Sequence, residues 1–209
     1  MLLNDLIISA QNQADEVVDK PDLLWSLVEW TEYCNEAENE ACIRANLILD
    51  KTTALTALTV LSGVSIYAIS ELILIVRRAK MSTGTEPLVK TSRRVLDATY
   101  RNWEAETGTV RSWFPDDSNK IGLYKIPTED ASLNLMVSRL PLVPMALVDK
   151  LTVSPELDEQ YHQGLVDWML HRAYSKQDSE TLDLGKAKEH LARFEKRFGE
   201  RPSASIINT

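Results

Sequence analysis

The sequence predicts an α+β protein: a helical bundle of about four helices interrupted by a β-rich insert. Three observations carry that reading. Apolar residues recur at helical spacings of three and four near both ends of the chain. Between residues 51 and 150 the period shortens towards two, the period of a strand. Capping residues stand where the helical stretches begin and end. The predicted organisation is a bundle from residues 1–50 and 151–200, an insert from 51–150 that also holds a short helix, and a tail from 201–209.

Leu3, Ile7, Ala10, Ala14 and Val17 form one stripe of a first helix, which Asp19, Lys20 and Pro21 should end. The opening MLLNDLIISA has no basic leader and reads as helix instead of signal peptide. In the next helix Ser26 and Glu29 match a capping box, and Trp25 and Trp30 take the two positions of a hydrophobic staple. Its stripe runs Leu27, Trp30, Cys34, Ala37, Ala41, Ala45, Ile48, small enough in the middle for close helix approach. Glu36, Glu40 and Arg44 follow at successive i, i+4 positions and read as a solvated face with one Glu40–Arg44 pair.

Ala54 to Val76 contains a single charged residue, Glu71, and superficially resembles a membrane span. Breaks at Ser62-Gly63 and Ser70-Glu71 and the wealth of Thr, Val and Ile favour strands. Strands are expected near 55–60, 64–69, 72–79, 109–114 and 120–126. The clearest has Leu133, Leu135 and Val137 alternating with Ser132, Asn134 and Ser138. Turns are expected at 116–119 and 128–130, and Ser92 should cap a short helix bearing Leu96, Tyr100 and Trp103, ended by Thr107-Gly108. Ser154 as N-cap and Pro155 at the first helical position should open a third long helix with Leu157, Tyr161, Leu165 and Trp168. A last one opens near Asp183, carries Leu184, Ala187, Leu191, Phe194 and Phe198, and is closed by Gly199 and Pro202.

The chemistry-bearing residues are few. Lys and Arg number 23 against 31 Asp and Glu, a net charge of −8, which excludes a broadly cationic nucleic-acid binder. Seven glycines leave little material for phosphate-cradling loops, so nucleotide enzymes are disfavoured. Cys34 and Cys42 have neither zinc-ribbon nor redox spacing. His162 and His171 lie nine residues apart, on opposite sides of a helix, and His190 stands apart from both; all three read as structural. No cofactor or metal site is expected. Glu36 and Glu40 are the weak candidates for acid–base chemistry on a glycoside. Trp25, Trp30 and Trp168 read as core. Trp113 and Phe114, adjacent in a strand, must point to opposite faces, so one of them is a candidate partner surface. Arg77-Arg78 and Arg93-Arg94 are too short to form phosphate stripes.

These residues alone describe an acidic assembly or interaction protein. The order of segments says more. The run PELDEQYHQGLVDWMLHRAYSKQDSETLDLGKAKEHLARFEKRFGERPSA resembles the closing helix pair of the adaptor, or head-to-tail connector, proteins of tailed bacteriophages, especially short-tailed types. LLWSLVEWTEYCNEAENEACIRANLILD resembles that family's second helix. ETGTVRSWFPDDSNKIGLYKIPTEDASLNLMVSRLPL resembles its Gly turn, strand pair with Tyr124 and Pro127, and exit through Arg139, Leu140 and Pro141; Val110 departs from a common proline. The resemblance spans residues 20–204 and rests on collinearity.

It implies a structural virion protein made in the host cytoplasm and placed at the head-to-tail interface. Its expected partners are the portal protein, the tail nozzle or tail tube proteins, and further copies of itself in a ring, with twelve the expected number. Double-stranded DNA would pass through the lumen without specific binding, and no membrane insertion is expected. The resemblance also implies that the chain end docks on the portal, for which Arg201, Ser203, Ala204, Ser205, Ile206 and Ile207 are the candidate residues. Ordering such a segment costs about 1–2 kcal/mol per residue, so the partner must supply the contacts. A virion-associated cell-wall hydrolase and an unrelated cytosolic helical interaction module are the alternatives.

Overall fold

The computed structural model describes residues 1–14, 24–116, 119–178 and 180–203. The class is α+β, with two compact units. One consists of Met1–Ile48 and the chain from Leu140; the other is Leu49–Arg139.

The first unit is helical. It contains α1 (Leu3–Gln13), α2 (Leu27–Ala45), α4 (Glu159–Tyr174) and α5 (Leu184–Phe198). Helix α4 packs on the other three, and α2 also packs on α1 and α5. Ser26 caps α2 as its sequence requires: the Glu29 N–H donates to Ser26 Oγ (3.2 Å) and the Ser26 N–H to Glu29 Oε2 (2.8 Å). The Trp25 and Trp30 rings meet with centroids 5.5 Å apart, and Trp25 Nε1 donates to the Ala173 carbonyl (3.1 Å). The staple therefore sets the entry of α2 and ties it to the end of α4. Cys34, Ala37 and Ala41 are fully buried along α2, and burial pushes the Cys34 thiol up, away from reactivity.

Several helix ends differ from expectation. Helix α1 stops at Gln13 with Ala14 as its C-cap; Val17, Asp19, Lys20 and Pro21 lie outside the described residues. Helix α2 ends at Ala45 because Asn46 turns left-handed (φ 51°), so Ile48 begins a strand instead of extending the stripe. Ser154 and Pro155 do not open α4, whose N-cap is Asp158. The reason is tertiary. The Glu38 carboxylate on α2 accepts the N–H groups of Glu156 (2.5 Å) and Leu157 (3.3 Å), which holds the preceding segment extended. Helix α5 runs from the Asp183 cap to Gly199 as expected, with Ala187, His190, Phe194 and Phe198 buried and Leu184 exposed.

The second unit holds two four-stranded sheets. In the first, β8 (Ala131–Arg139) is central: β4 (Ile73–Met81) pairs with it antiparallel, as does β2 (Ala57–Val60), and β1 (Ile48–Asp50) lies beside it. The second runs β3 (Ile66–Ala68), β7 (Lys120–Tyr124), β6 (Ser112–Pro115), β5 (Val89–Lys90), with only β5 and β6 parallel. Short β1 and β5 carry no periodic signal, and Leu55 and Thr56, read as the start of a strand, lie in a 3-10 turn (Ala54–Thr56). Asn119 turns left-handed (φ 60°) at the predicted turn before β7; residues 117 and 118 lie outside the described residues.

The alternation read in β8 holds for Leu133, Leu135 and Val137, which are buried between the sheets with Trp113, Ile121 and Leu123. Ser138 departs from it. Arg77, at the irregularity between Val76 and Arg78, donates from Nε to Ser138 Oγ (2.7 Å), and Ser138 is buried. The predicted short helix is α3 (Arg93–Thr99), capped by Ser92; it ends before Tyr100, and Trp103 sits in a separate 3-10 turn. That turn and α3 cover the outer face of the second sheet, with Leu96, Trp103, Phe114 and Tyr124 forming a second cluster. Phe114 lies over Gly122, its register partner on β7, where a Cβ would collide with the ring.

Two buried carboxylates carry testable consequences. Asp50 accepts from Arg139 Nε (2.6 Å), the Thr52 N–H (3.0 Å) and the Thr53 hydroxyl (2.5 Å). Burial opposes its ionisation, but the Thr53 hydroxyl, the Thr52 N–H and Arg139 together hold its carboxyl well below the usual range. Arg139→Met, which leaves that charge uncompensated, is expected to cost about 3–5 kcal/mol in urea unfolding, and adding Asp50→Asn should recover part of the loss.

Glu38 shows the opposite behaviour. Burial pushes its carboxyl up to about 7 against the pull of the two N–H donors. A raised folded-state value means that the folded protein holds the extra proton. Its contribution is therefore fully present below the ordinary value of 4.5 and is lost as pH rises through about 7. Glu38→Gln keeps an acceptor and removes the titration. Its stability relative to wild type should improve by about 3 kcal/mol between pH 4 and pH 8, measured by urea unfolding at both pH values.

Candidate functional site at the root of the C-terminal tail

The densest set of charged and aromatic contacts in the helical unit surrounds Arg44, in the last turn of α2. Its side chain is 4% exposed. Nε donates to Glu40 Oε2 (3.1 Å), one turn back, and Nη1 to Glu195 Oε1 on α5 (3.3 Å) and to the Gly199 carbonyl (3.1 Å). The guanidinium lies 5.3 Å from the Trp168 ring centroid and 5.2 Å from that of Phe194. A planar cation with five donors suits this position, because it satisfies three acceptors and packs on two rings at once. Lysine has the charge without that fork.

This arrangement fixes where the chain leaves α5. Gly199 adopts φ 89°, a region that favours glycine, and its carbonyl is held by Arg44. Two residues later Arg201 places Nη1 3.5 Å from Glu40 Oε1. Glu40 therefore joins Arg44 to the first residues of the tail. On the other side of α5, Gly164 lets α4 approach closely: a Cβ there would meet the side chains of Arg197 and Phe198. The tail root is built from side chains of α2, α4 and α5.

The residues singled out from the sequence distribute as follows. Glu40 is buried, so its reading as part of a solvated face is corrected; Arg44, Glu195 and Arg201 enclose it. Glu36 is half exposed and pairs with Arg172 (2.7 Å). Each of these two carboxylates is thus engaged by guanidinium groups. Each of the three histidines makes a polar contact: His162 Nε2 with the Leu157 carbonyl (2.7 Å), His171 Nδ1 with the Ala187 carbonyl (2.9 Å) and His190 Nδ1 with Asp167 (3.2 Å). Among the described residues no three His, Cys, Asp or Glu side chains converge as a metal site.

Trp113 and Phe114 do point to opposite faces, but both faces are covered, and the two side chains are 3% and 1% exposed. Neither forms an exposed partner surface in this unit, because α3 and the Trp103 turn cover the face that the sequence left open. Arg93 meets the Phe114 ring at 5.6 Å and pairs with Asp116. Of the six candidate tail residues, Arg201 and Ser203 are described and exposed, while Ala204, Ser205, Ile206 and Ile207 lie outside the described residues. Sequence reasoning missed the central role of Arg44. It found the Glu40–Arg44 spacing, but only the packing of α5 and Trp168 converts that pair from a surface feature into a hub.

Charge is unevenly divided. By sequence, Leu49–Arg139 holds 12 Lys and Arg against 10 Asp and Glu, a net +2, whereas the helical unit holds 11 against 21, a net −10. No helix among the described residues is long and apolar enough to cross a membrane.

Compared with known proteins, the chain matches no curated protein. Residues 1–207 match the family described as SU10 adaptor protein, which covers both units and the tail root. The collinear order of segments and this match agree: the chain belongs to the SU10 adaptor protein family, a family of bacteriophage structural adaptors and not of enzymes.

Proposed function

We propose that copies of this chain form a ring between the portal vertex of the capsid and the tail, and that the C-terminal segment attaches the ring to the portal. Membership of the adaptor family supports the setting, at the head-to-tail junction of a virion. The observation that carries the attachment is the tail root: Arg44 and Glu40 hold Gly199 and Arg201, so the segment beyond Arg201 departs from a fixed point. In this reading the helices of residues 1–50 and 151–200 are the bundle that forms the body of the ring. Residues 51–150 form an insert, and 201–209 are the tail. Arg201, Ser203, Ala204, Ser205, Ile206 and Ile207 meet the portal.

A ring with an expected twelve copies encloses a channel for double-stranded DNA and meets the tail nozzle or tail tube on its far side. A channel that DNA must slide through gains from weak attraction to phosphate, and the −10 helical unit supplies repulsion wherever it faces the lumen.

Two measurements test this reading. Mixing the chain with its portal protein should give rings in negative-stain images, and single bound copies would contradict it. Deleting residues 204–209 should leave the melting temperature within about 2 °C, since the contacts at the root, Arg44 with Gly199 and Arg201 with Glu40, are retained. The same deletion should weaken portal attachment at least tenfold, roughly 1.4 kcal/mol. Equal affinity of both chains would show the segment to be a passive end.

A further inference from the structure

The segment that leads from Leu140 to α4 is exposed, apolar and rigid at once. Val143, Val148 and Leu151 are 76%, 88% and 66% exposed. Their backbone is nevertheless fixed. The Asn35 amide on α2 donates to the Met145 carbonyl (3.0 Å) and accepts the Met145 N–H (2.8 Å). The Leu142 N–H donates to Glu156 (3.0 Å), and the first turn of α1 donates from Asn4 to the Lys150 carbonyl (3.0 Å) and from Leu3 to the Val153 carbonyl (2.9 Å). A 3-10 turn, Leu147–Asp149, presents Val148 at its centre. Exposing three large apolar groups forfeits hydrophobic stabilisation that a partner surface can recover. A preformed ridge of this kind lowers the ordering cost of association.

The chemistry of the surroundings selects the occupant. Asp149 and Lys150 stand together on the ridge, and the exposed Glu156 and Asp158 follow beside it, so the local charge is net negative within a unit of net charge −10. A second copy presenting its own helical unit would meet like charge. The β unit of that copy is net positive, and its strand β4 exposes Ile75, which is followed by the exposed Arg77 and Arg78. We propose that the Val143–Val148–Leu151 ridge is the contact between neighbouring copies and seats against the Ile75–Arg77–Arg78 stretch of the next one. Two different patches meet in such a contact, which is the head-to-tail geometry that closes into a ring. This inference rests on the ring reading above and assigns its interface.

The test uses the full chain and its portal protein, with assembly read by native mass spectrometry and negative-stain imaging. Val148→Asp and Arg78→Glu change exposed side chains, whereas Arg77 is kept for its bond to Ser138, so each variant should keep the wild-type melting temperature and lose ring assembly at least tenfold. Mixed together, the two variants retain one intact pair of patches and should form dimers that cannot close. Because Cys34 and Cys42 are buried, a Val148→Cys/Ile75→Cys chain should also give intermolecular disulfides on oxidation. A wild-type ring that Val148→Asp leaves intact overturns this interface while the ring stands. A Val148→Asp ring that fails only to bind a tail protein reassigns the ridge and overturns the proposal as well. Wild-type chains that bind the portal singly overturn the ring, and the interface with it.

Discussion

The β unit depends on one buried ion pair. The chain enters that unit at Leu49 and leaves it at Arg139, and Asp50 and Arg139, 2.6 Å apart, join those two points. Bringing together the ends of a stretch of about 90 residues costs on the order of 4 kcal/mol in loop entropy, so something must hold the crossing strands side by side. Pairing of β1 with β8 and the ion pair both act at this crossing. Its side chains are 5% and 3% exposed, where an unpaired charge is costly and a displaced partner is therefore resisted. Once the two crossings are fixed, β8 is placed as the central strand. Strands β2 and β4 then take their registers from it, and the buried row Leu133, Leu135, Val137 faces the second sheet.

The helical unit uses buried polar side chains for a similar purpose, at two places along α2. Glu38 holds the chain ahead of α4 by accepting two backbone N–H groups, a task that a helix N-cap usually performs within its own helix. Arg44 holds the chain after α5 by donating to a backbone carbonyl. Both ends of the α4–α5 pair are thus referred to a single helix. The small residues Ala37 and Ala41 allow the neighbours of α2 to come close enough for side chains of ordinary length to reach.

Rigidity is also what gives the exposed apolar residues meaning. Scattered exposed leucines and valines are ordinary on any surface. Those between Leu142 and Leu151 differ because Asn35, Glu156 and the first turn of α1 immobilise the backbone beneath them. The segregation of net charge, −10 on one unit and +2 on the other, adds direction to any association between copies.

The sequence by itself determined the α+β class, the capping box and staple at Ser26, the caps at Ser92 and Asp183, the stop at Gly199 and the alternation in β8. Each is a local matter of spacing or of backbone conformation, legible within a few residues. It also carried the family, through the order of its segments. Tertiary structure decided what depends on partners distant in the chain. Ser154-Pro155 looked like a helix start until Glu38, more than a hundred residues away, took the N–H groups that a helix would have left free. Trp113-Phe114 looked half exposed until α3 covered one face. Glu40 looked solvated until α5 and Arg201 enclosed it. The ion pair of Asp50 and Arg139 had no local signal at all, because a single charged residue reads the same on a surface as in a core, and only the fold decides which it meets.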